Sequence, residues 1–263
     1  MSLAFRAADP DGEPRGTALL VHGYPESSYM WRDVMGSVTA AGFRAVAPDL
    51  LGLGDSPADP PGTWERHVAA VQRFVAENEL GPVVVVVHNW GGMIGLAWAC
   101  EHPDMVRSLV ISNTGFFHDG KWHGFAQGMR TPGQGEELVA AFTREGFEGM
   151  LKSLSPGIDD SAIDEYWKGF DGDDRRQMHL DFYRSMDFEK LAPYQGRLAA
   201  LGVPTLLLWG ANDAFAPVAG AHRFKREIPH ADLCIIDDAG HFVFDDAPER
   251  AGAAINDFLG RIQ

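Results

Sequence analysis

Asn89, Asp213 and His241 are the three side chains whose types and positions suggest joint chemistry in this sequence. A histidine works as a general base near neutral pH when a carboxylate fixes its tautomer. His241 lies in Ala239-Gly240-His241-Phe242, a glycine-hinged turn, and Asp213 follows Trp209-Gly210-Ala211-Asn212. Each of the three comes soon after a short apolar run, the place where open parallel sheets gather their sites. Their order along the chain is nucleophile position, acid, base. Any one alone reads as an ordinary loop residue; together they read as a catalytic triad. Asn89 is the discordant member, because a neutral amide is a poor nucleophile where this arrangement calls for a strong one.

The element that must present Asn89 is the run of five valines at 83–87. Continuous β-branched apolar residues predict a strand buried on both faces, as in a parallel sheet. The run stops at His88-Asn89-Trp90-Gly91-Gly92, and a helix of small residues is expected over 93–100. Buried strand, sharp turn and glycine-lined helix together form a nucleophile elbow, in which glycine lets strand and helix approach closely. A second loop, His22-Gly23-Tyr24-Pro25, would turn the backbone N–H of Tyr24 towards the elbow. With the N–H of Trp90 it would make a two-donor oxyanion hole; the plainer reading of that loop is a proline turn.

Strands are predicted at 17–21, 43–47, 106–112, 203–209 and 232–236 besides the valine run, and helices at 29–41, 64–78, 219–228 and 248–262. Alternating strands and helices imply an α/β fold with a mostly parallel sheet and helices on both faces. Between 115 and 198 the rhythm breaks into helical stretches and loops. That segment concentrates Trp122, Trp167, Tyr166 and Tyr183 together with several methionines and phenylalanines. Such helices ordinarily just pack; here they are expected to roof an apolar pocket. The expected organisation is therefore a core of 1–114 and 199–263 interrupted by a helical lid, 115–198.

At this point a resemblance is plain over essentially the whole chain. The sequence resembles the α/β-hydrolase superfamily and, within it, the haloalkane dehalogenases and less closely the epoxide hydrolases. Both groups carry an aspartate nucleophile in a His-Asp-Trp-Gly elbow, which here reads His88-Asn89-Trp90-Gly91. Val87, Asn113-Thr114-Gly115 and Asp238-Ala239-Gly240-His241-Phe242 are dehalogenase-like. Pro25-Glu26-Ser27 resembles the epoxide hydrolase loop, and Phe182-Tyr183-Arg184 the place where those enzymes carry an oxirane-activating tyrosine. Tyr24 departs from the asparagine that one dehalogenase subgroup uses to hold halide, so a second halide donor must come from the lid. No arginine follows Asn89 within the first turns, which fits the fluoroacetate dehalogenase pattern poorly.

The resemblance implies the following chemistry. A carboxylate at 89 attacks the carbon bearing the halogen and forms an ester. The Trp90 indole N–H, a donor without an acceptor, holds the leaving halide, with Trp122 or Trp167 as the second donor. His241, held by Asp213, then activates water against the ester, while the Tyr24 and Trp90 backbone N–H groups take the oxyanion. For an epoxide, Tyr183 protonates the ring oxygen instead. Asn89 cannot perform the first step as written. The favoured reading is an Asp→Asn form of an otherwise intact enzyme. The alternatives are a silent binding protein, or an amide hydrolysed in place by the same His-activated water.

Composition narrows the partners. The net charge of −15 and the absence of any Lys/Arg run argue against nucleic acid and anionic membranes. No apolar run is long enough to span a bilayer, and the first residues lack the apolar core of a signal peptide. Two cysteines, Cys100 and Cys234, are expected as separate buried thiols, in keeping with a cytoplasmic protein. No cofactor is expected. The expected partners are a small apolar organic substrate and, for dehalogenation, a halide ion, with the chain a monomer or a small homo-oligomer. His118 and His123 have no metal-ligand spacing and are expected at the surface or in lid packing. Asp171-Gly172-Asp173-Asp174 lacks the length and distal glutamate of a calcium loop and is expected to be a solvated turn.

Overall fold

The computed structural model describes residues 2–262. Its centre is β4 (Val83–His88), all six residues of which are buried. Burying one valine fully is worth on the order of 1.5 kcal/mol, so this strand is a strong nucleus for the core. It lies between β2 (Thr17–Val21) and β5 (Val106–Ser112), with Val85 opposite both Leu19 and Leu109. Outwards on one side come β3 (Arg44–Pro48) and β1 (Phe5–Ala8); on the other, β6 (Thr205–Gly210) and β7 (Asp232–Ile236). The order β1-β3-β2-β4-β5-β6-β7 is parallel except for β1, which pairs antiparallel with β3.

Helices α1 (Arg32–Ala40), α2 (Trp64–Glu77) and α3 (Trp90–Glu101) alternate with the first strands. Between β5 and β6 the chain is helical, through α4 (Gly124–Arg130), α5 (Gln134–Ala141), α6 (Arg144–Leu154), α7 (Asp160–Trp167), α8 (Asp173–Ser185) and α9 (Arg197–Ala200). The α/β alternation resumes with α10 (Ala219–Glu227), and α11 (Val243–Asp246) and α12 (Pro248–Arg261) close the fold. Helix α1 packs on α12, and α2 on α3.

Strands β2, β5 and β7 stand where the pattern predicts them. Strand β6 starts two residues later, because Pro204 has no N–H to give a ladder, although its carbonyl accepts from Leu109. Strand β1 was not predicted. It is short, at the sheet edge, and only half-buried on alternate residues, so its apolar signal is weak. The chain over 29–41 opens as a 3₁₀ turn, Ser28–Trp31, before α1. Residues 171–174 form the turn into α8, whose first-turn aspartates complement the helix dipole. Among the described residues no helix is long and apolar enough to cross a membrane.

Candidate active site

Strand β4 delivers its chain into α3 through a single residue. Asn89 has φ 49° and ψ −117°, a conformation that costs a non-glycine residue roughly 1–3 kcal/mol and persists only where the surroundings enforce it. They do so through small residues. A Cβ on Gly91 would lie 2.1 Å from the Val21 carbonyl oxygen, and one on Gly23 would lie 2.4 Å from the Asn89 Cβ. The Thr114 hydroxyl, just past β5, donates to the Asn89 carbonyl at 2.7 Å.

The Asn89 side chain is held at both ends. Its Oδ1 accepts from the backbone N–H of Tyr24 at 2.9 Å and of Trp90 at 2.6 Å. That oxygen between two N–H donors fixes the amide's orientation, so Nδ2 faces His241 Nε2, 2.9 Å away. An amide nitrogen only donates, so Nε2 accepts and the imidazole proton sits on Nδ1. From there it is donated to Asp213 Oδ2 at 2.7 Å. The Tyr24 donor is itself held in place from below. His22 accepts from the Leu50 N–H through Nε2 at 2.9 Å, and its Nδ1 lies 2.8 Å from the Gly23 carbonyl.

Asp213 is buried and fully partnered. Oδ1 accepts from the backbone N–H groups of Phe215 and Ala216, at 2.7 and 2.9 Å, and Oδ2 also takes the Asn113 amide at 2.7 Å. Burial pushes this carboxyl up; His241 and the hydrogen bonds outweigh it and hold it below the usual carboxylate range. Asn113, with φ 44°, links the three loops, reaching the Gly240 carbonyl as well as Asp213. Behind His241 lies a second buried pair, His88 Nε2 and Glu26 Oε2, 3.4 Å apart, with the His88 ring 5.1 Å from that of His241. Burial drives Glu26 well above and His88 well below their ordinary values. Both shifts favour the uncharged form of the pair beside His241.

Two cavities of about 250 and 290 Å³ open at this centre, and Asn89 and His241 line both. Trp90 and Trp122 line the first, Tyr24 and Tyr183 the second. The Trp122 indole N–H is buried without an acceptor. The Trp90 ring is stacked between Phe182 and Tyr24, at centroid distances of 3.5 and 4.6 Å. Burial pushes the Tyr183 phenol far up, and its hydrogen bond with the Trp90 indole pulls only part of the way back, so it stays protonated.

The structure thus brings together Asn89, Asp213 and His241, the Tyr24 and Trp90 backbone donors, and the side chains of Trp90, Trp122 and Tyr183. It does not bring Trp167. That ring stacks on Phe170 and against Phe147 inside the helical insertion, at 5.5 and 5.4 Å, and lines neither cavity. His123, expected in surface or packing roles, stands in the wall of both cavities. Asn113 and Thr114, part of the dehalogenase-like Asn113-Thr114-Gly115, had been assigned no role at the site. Their signal was two polar residues directly after a buried apolar strand. Among the described residues no group of three or more His, Cys, Asp or Glu side chains could hold a metal ion.

A family model described as alpha/beta hydrolase fold matches residues 18–248. The chain is 30% identical over 257 residues to haloalkane dehalogenase 2 of Mycobacterium tuberculosis, covering 92% of this chain and 87% of that one. It is 28% identical over 297 residues to epoxide hydrolase 3 of Siraitia grosvenorii, covering 92% and 91%. A crystal structure of a haloalkane dehalogenase from Bradyrhizobium elkani superposes with a TM-score of 0.84 at 22% identity, over 99% of this chain and 94% of that one. That likeness concerns the fold, and with the family match running from β2 past the loops of Asn89, Asp213 and His241, the chain belongs to the alpha/beta hydrolase fold family.

Proposed function

We propose that this protein is a hydrolase built for covalent catalysis at residue 89. Its substrate is a small apolar compound with a carbon–halogen bond, and the Asn89 form binds it without completing the first step. The observation that carries the reading is the split of the Asn89 amide. Oδ1 occupies the two-donor backbone site, and Nδ2 stands in hydrogen-bond range of the base. An aspartate is nearly isosteric with asparagine, so its second oxygen would stand where Nδ2 is, the attacking position.

In the Asp form, that oxygen forms a bond to the substrate carbon as the carbon–halogen bond breaks, and halide leaves. His241 Nε2 then takes a proton from water, and the water oxygen attacks the ester carbonyl. The developing oxyanion lies between the Tyr24 and Trp90 N–H groups. The ester bond breaks, the imidazolium returns its proton to the alkoxide, and an alcohol departs. The buried, unpaired Trp122 N–H favours halide, because an unsatisfied donor costs roughly 1–3 kcal/mol that an anion in the first cavity would relieve.

A second reading, epoxide opening by the same triad, is favoured by the Tyr183 hydroxyl in the second cavity, protonated and able to donate to a ring oxygen. The test is Asn89→Asp beside the unaltered chain, incubated with haloalkane and epoxide panels. Halide release by the Asp form alone supports the first reading; diol formation supports the second. Binding without turnover by either form would leave a silent binding protein. A mass gain at Asn89 on standing would reveal hydrolysis of the amide in place.

A further inference from the structure

The two cavities differ in a way that the chemistry at residue 89 does not use. They meet at Asn89 and His241, and His123 and Phe215 stand between them as shared wall. The ring centroid of Phe215 is 5.0 Å from that of His123 and 5.1 Å from that of His241, so the partition is aromatic and sits directly over the triad. The second cavity has no charged side chain in its wall and runs past Phe125, Met150 and Leu154. The first has one, Lys121, on the loop between β5 and α4. Among the described residues no acid pairs with Lys121, and the nearby Asp119 is bonded to Arg223 instead. Lys121 is exposed at the mouth of this cavity, so in a chain of net charge −15 it is a local attraction for an anion that most of the surface repels.

We propose that the substrate is a branched acid. The carbon attacked at residue 89 carries a short arm ending in a carboxylate, which lies in the first cavity towards Lys121. It also carries an alkyl chain, which lies in the second cavity. This rests on the reading of a hydrolase acting through residue 89 and departs from it in one respect: the substrate carries a single charged arm instead of being apolar throughout. A terminal haloalkane fills one cavity only; a substrate branched at the reacting carbon fills both and is oriented by the difference between them.

The test uses the chain as it stands, whose Asn89 allows binding without turnover. Tryptophan fluorescence is titrated with 2-bromohexanoate and with 2-bromohexane, which differ in the carboxylate alone. The acid should bind more tightly, and the preference should shrink with added salt. Lys121→Met should weaken the acid roughly fivefold and leave 2-bromohexane nearly unchanged. Met150→Trp, which fills the alkyl arm, should weaken 2-bromohexanoate but spare 2-bromopropanoate. Equal binding of acid and bromoalkane, or equal response of both to Lys121→Met, would overturn the proposal. So would equal loss of both acids on Met150→Trp. Inactivity of Asn89→Asp against every compound, with the Lys121 dependence intact, would instead sink the hydrolase reading and leave the two-armed site.

Discussion

On the proposed reading, the identity of one atom at position 89 separates holding a substrate from converting it. The backbone donors of Tyr24 and Trp90 grip Oδ1 in either an amide or a carboxylate, so the change to aspartate alters the chemistry without rebuilding the loop. The same logic gives Asp213 its importance, since it alone accepts the His241 Nδ1 proton. An asparagine there would present N–H to the ring, turn the proton to Nε2 and leave no base facing residue 89. Asp213→Asn in the Asn89→Asp background should therefore lower kcat by roughly 10³–10⁴ with binding little changed, as steady-state kinetics would show. If kcat falls less than tenfold, His241 does not act through this pair. At this scale the sequence was legible where residue type alone restricts chemistry: an acid, a base and a nucleophile position after three strands. It was not legible for Trp167, whose indole is as good a donor as that of Trp122. Which of the two reaches the site depends on packing against Phe147 and Phe170.

At the scale of elements, the elbow depends on a separation too small for a methyl group. Gly91→Ala would drive a Cβ against the Val21 backbone carbonyl, which closes β2 where it pairs with Val87 of β4 and cannot yield. We expect it to destabilise the fold by about 3 kcal/mol or more, measured as a fall in the denaturant midpoint. Gly36→Ala is the control. It lies exposed within α1 with open space around its Cβ position, and should raise stability by up to about 1 kcal/mol through helix propensity. If both variants behave alike, the close approach of α3 to β2 is not what requires glycine. Local signals of this kind, five valines or two adjacent glycines, carry their meaning in a few residues. The edge strand β1 carries none, because its pairing with β3 is made at long range and its residues alternate between exposed and half-buried.

At the scale of the whole molecule, burial of ionisable groups sets the response to acid. Burial depresses His22 and His88, and holds His67 and His179 at about 3, against an unfolded value near 6.5. Such bases contribute stability above pH 6.5 that is lost as the pH falls through that value, since only the unfolded chain then binds their protons. Glu26 and Asp245 act in the opposite sense. Burial raises them, Asp245 to about 6, so the folded state holds their protons and gains as the pH falls. The depressed histidines, His123 among them, outnumber the two raised carboxyls, so stability should drop as the pH falls below 6.5. His67→Gln should reduce that slope by about one proton in urea titrations across this range; an unchanged slope would mean that His67 titrates in the fold. The same network ties the helical insertion to the core. Tyr166 donates to Asp245, Ser155 to Asp246, and Arg32 bridges Asp245 and Asp159. By itself the sequence determined the alternating α/β fold, the buried valine strand with its glycine turn, and the chain order of the candidate residues Asn89, Asp213 and His241, because those follow from runs of apolar residues and from the conformations that glycine permits. Only the tertiary structure decided which aromatics of the helical insertion line the cavities at residue 89, that two cavities meet there, and that Asn113, Thr114 and His123 stand at the candidate site. Each helix of the insertion offers several faces, and the face turned inward is chosen by contacts between residues far apart in the chain.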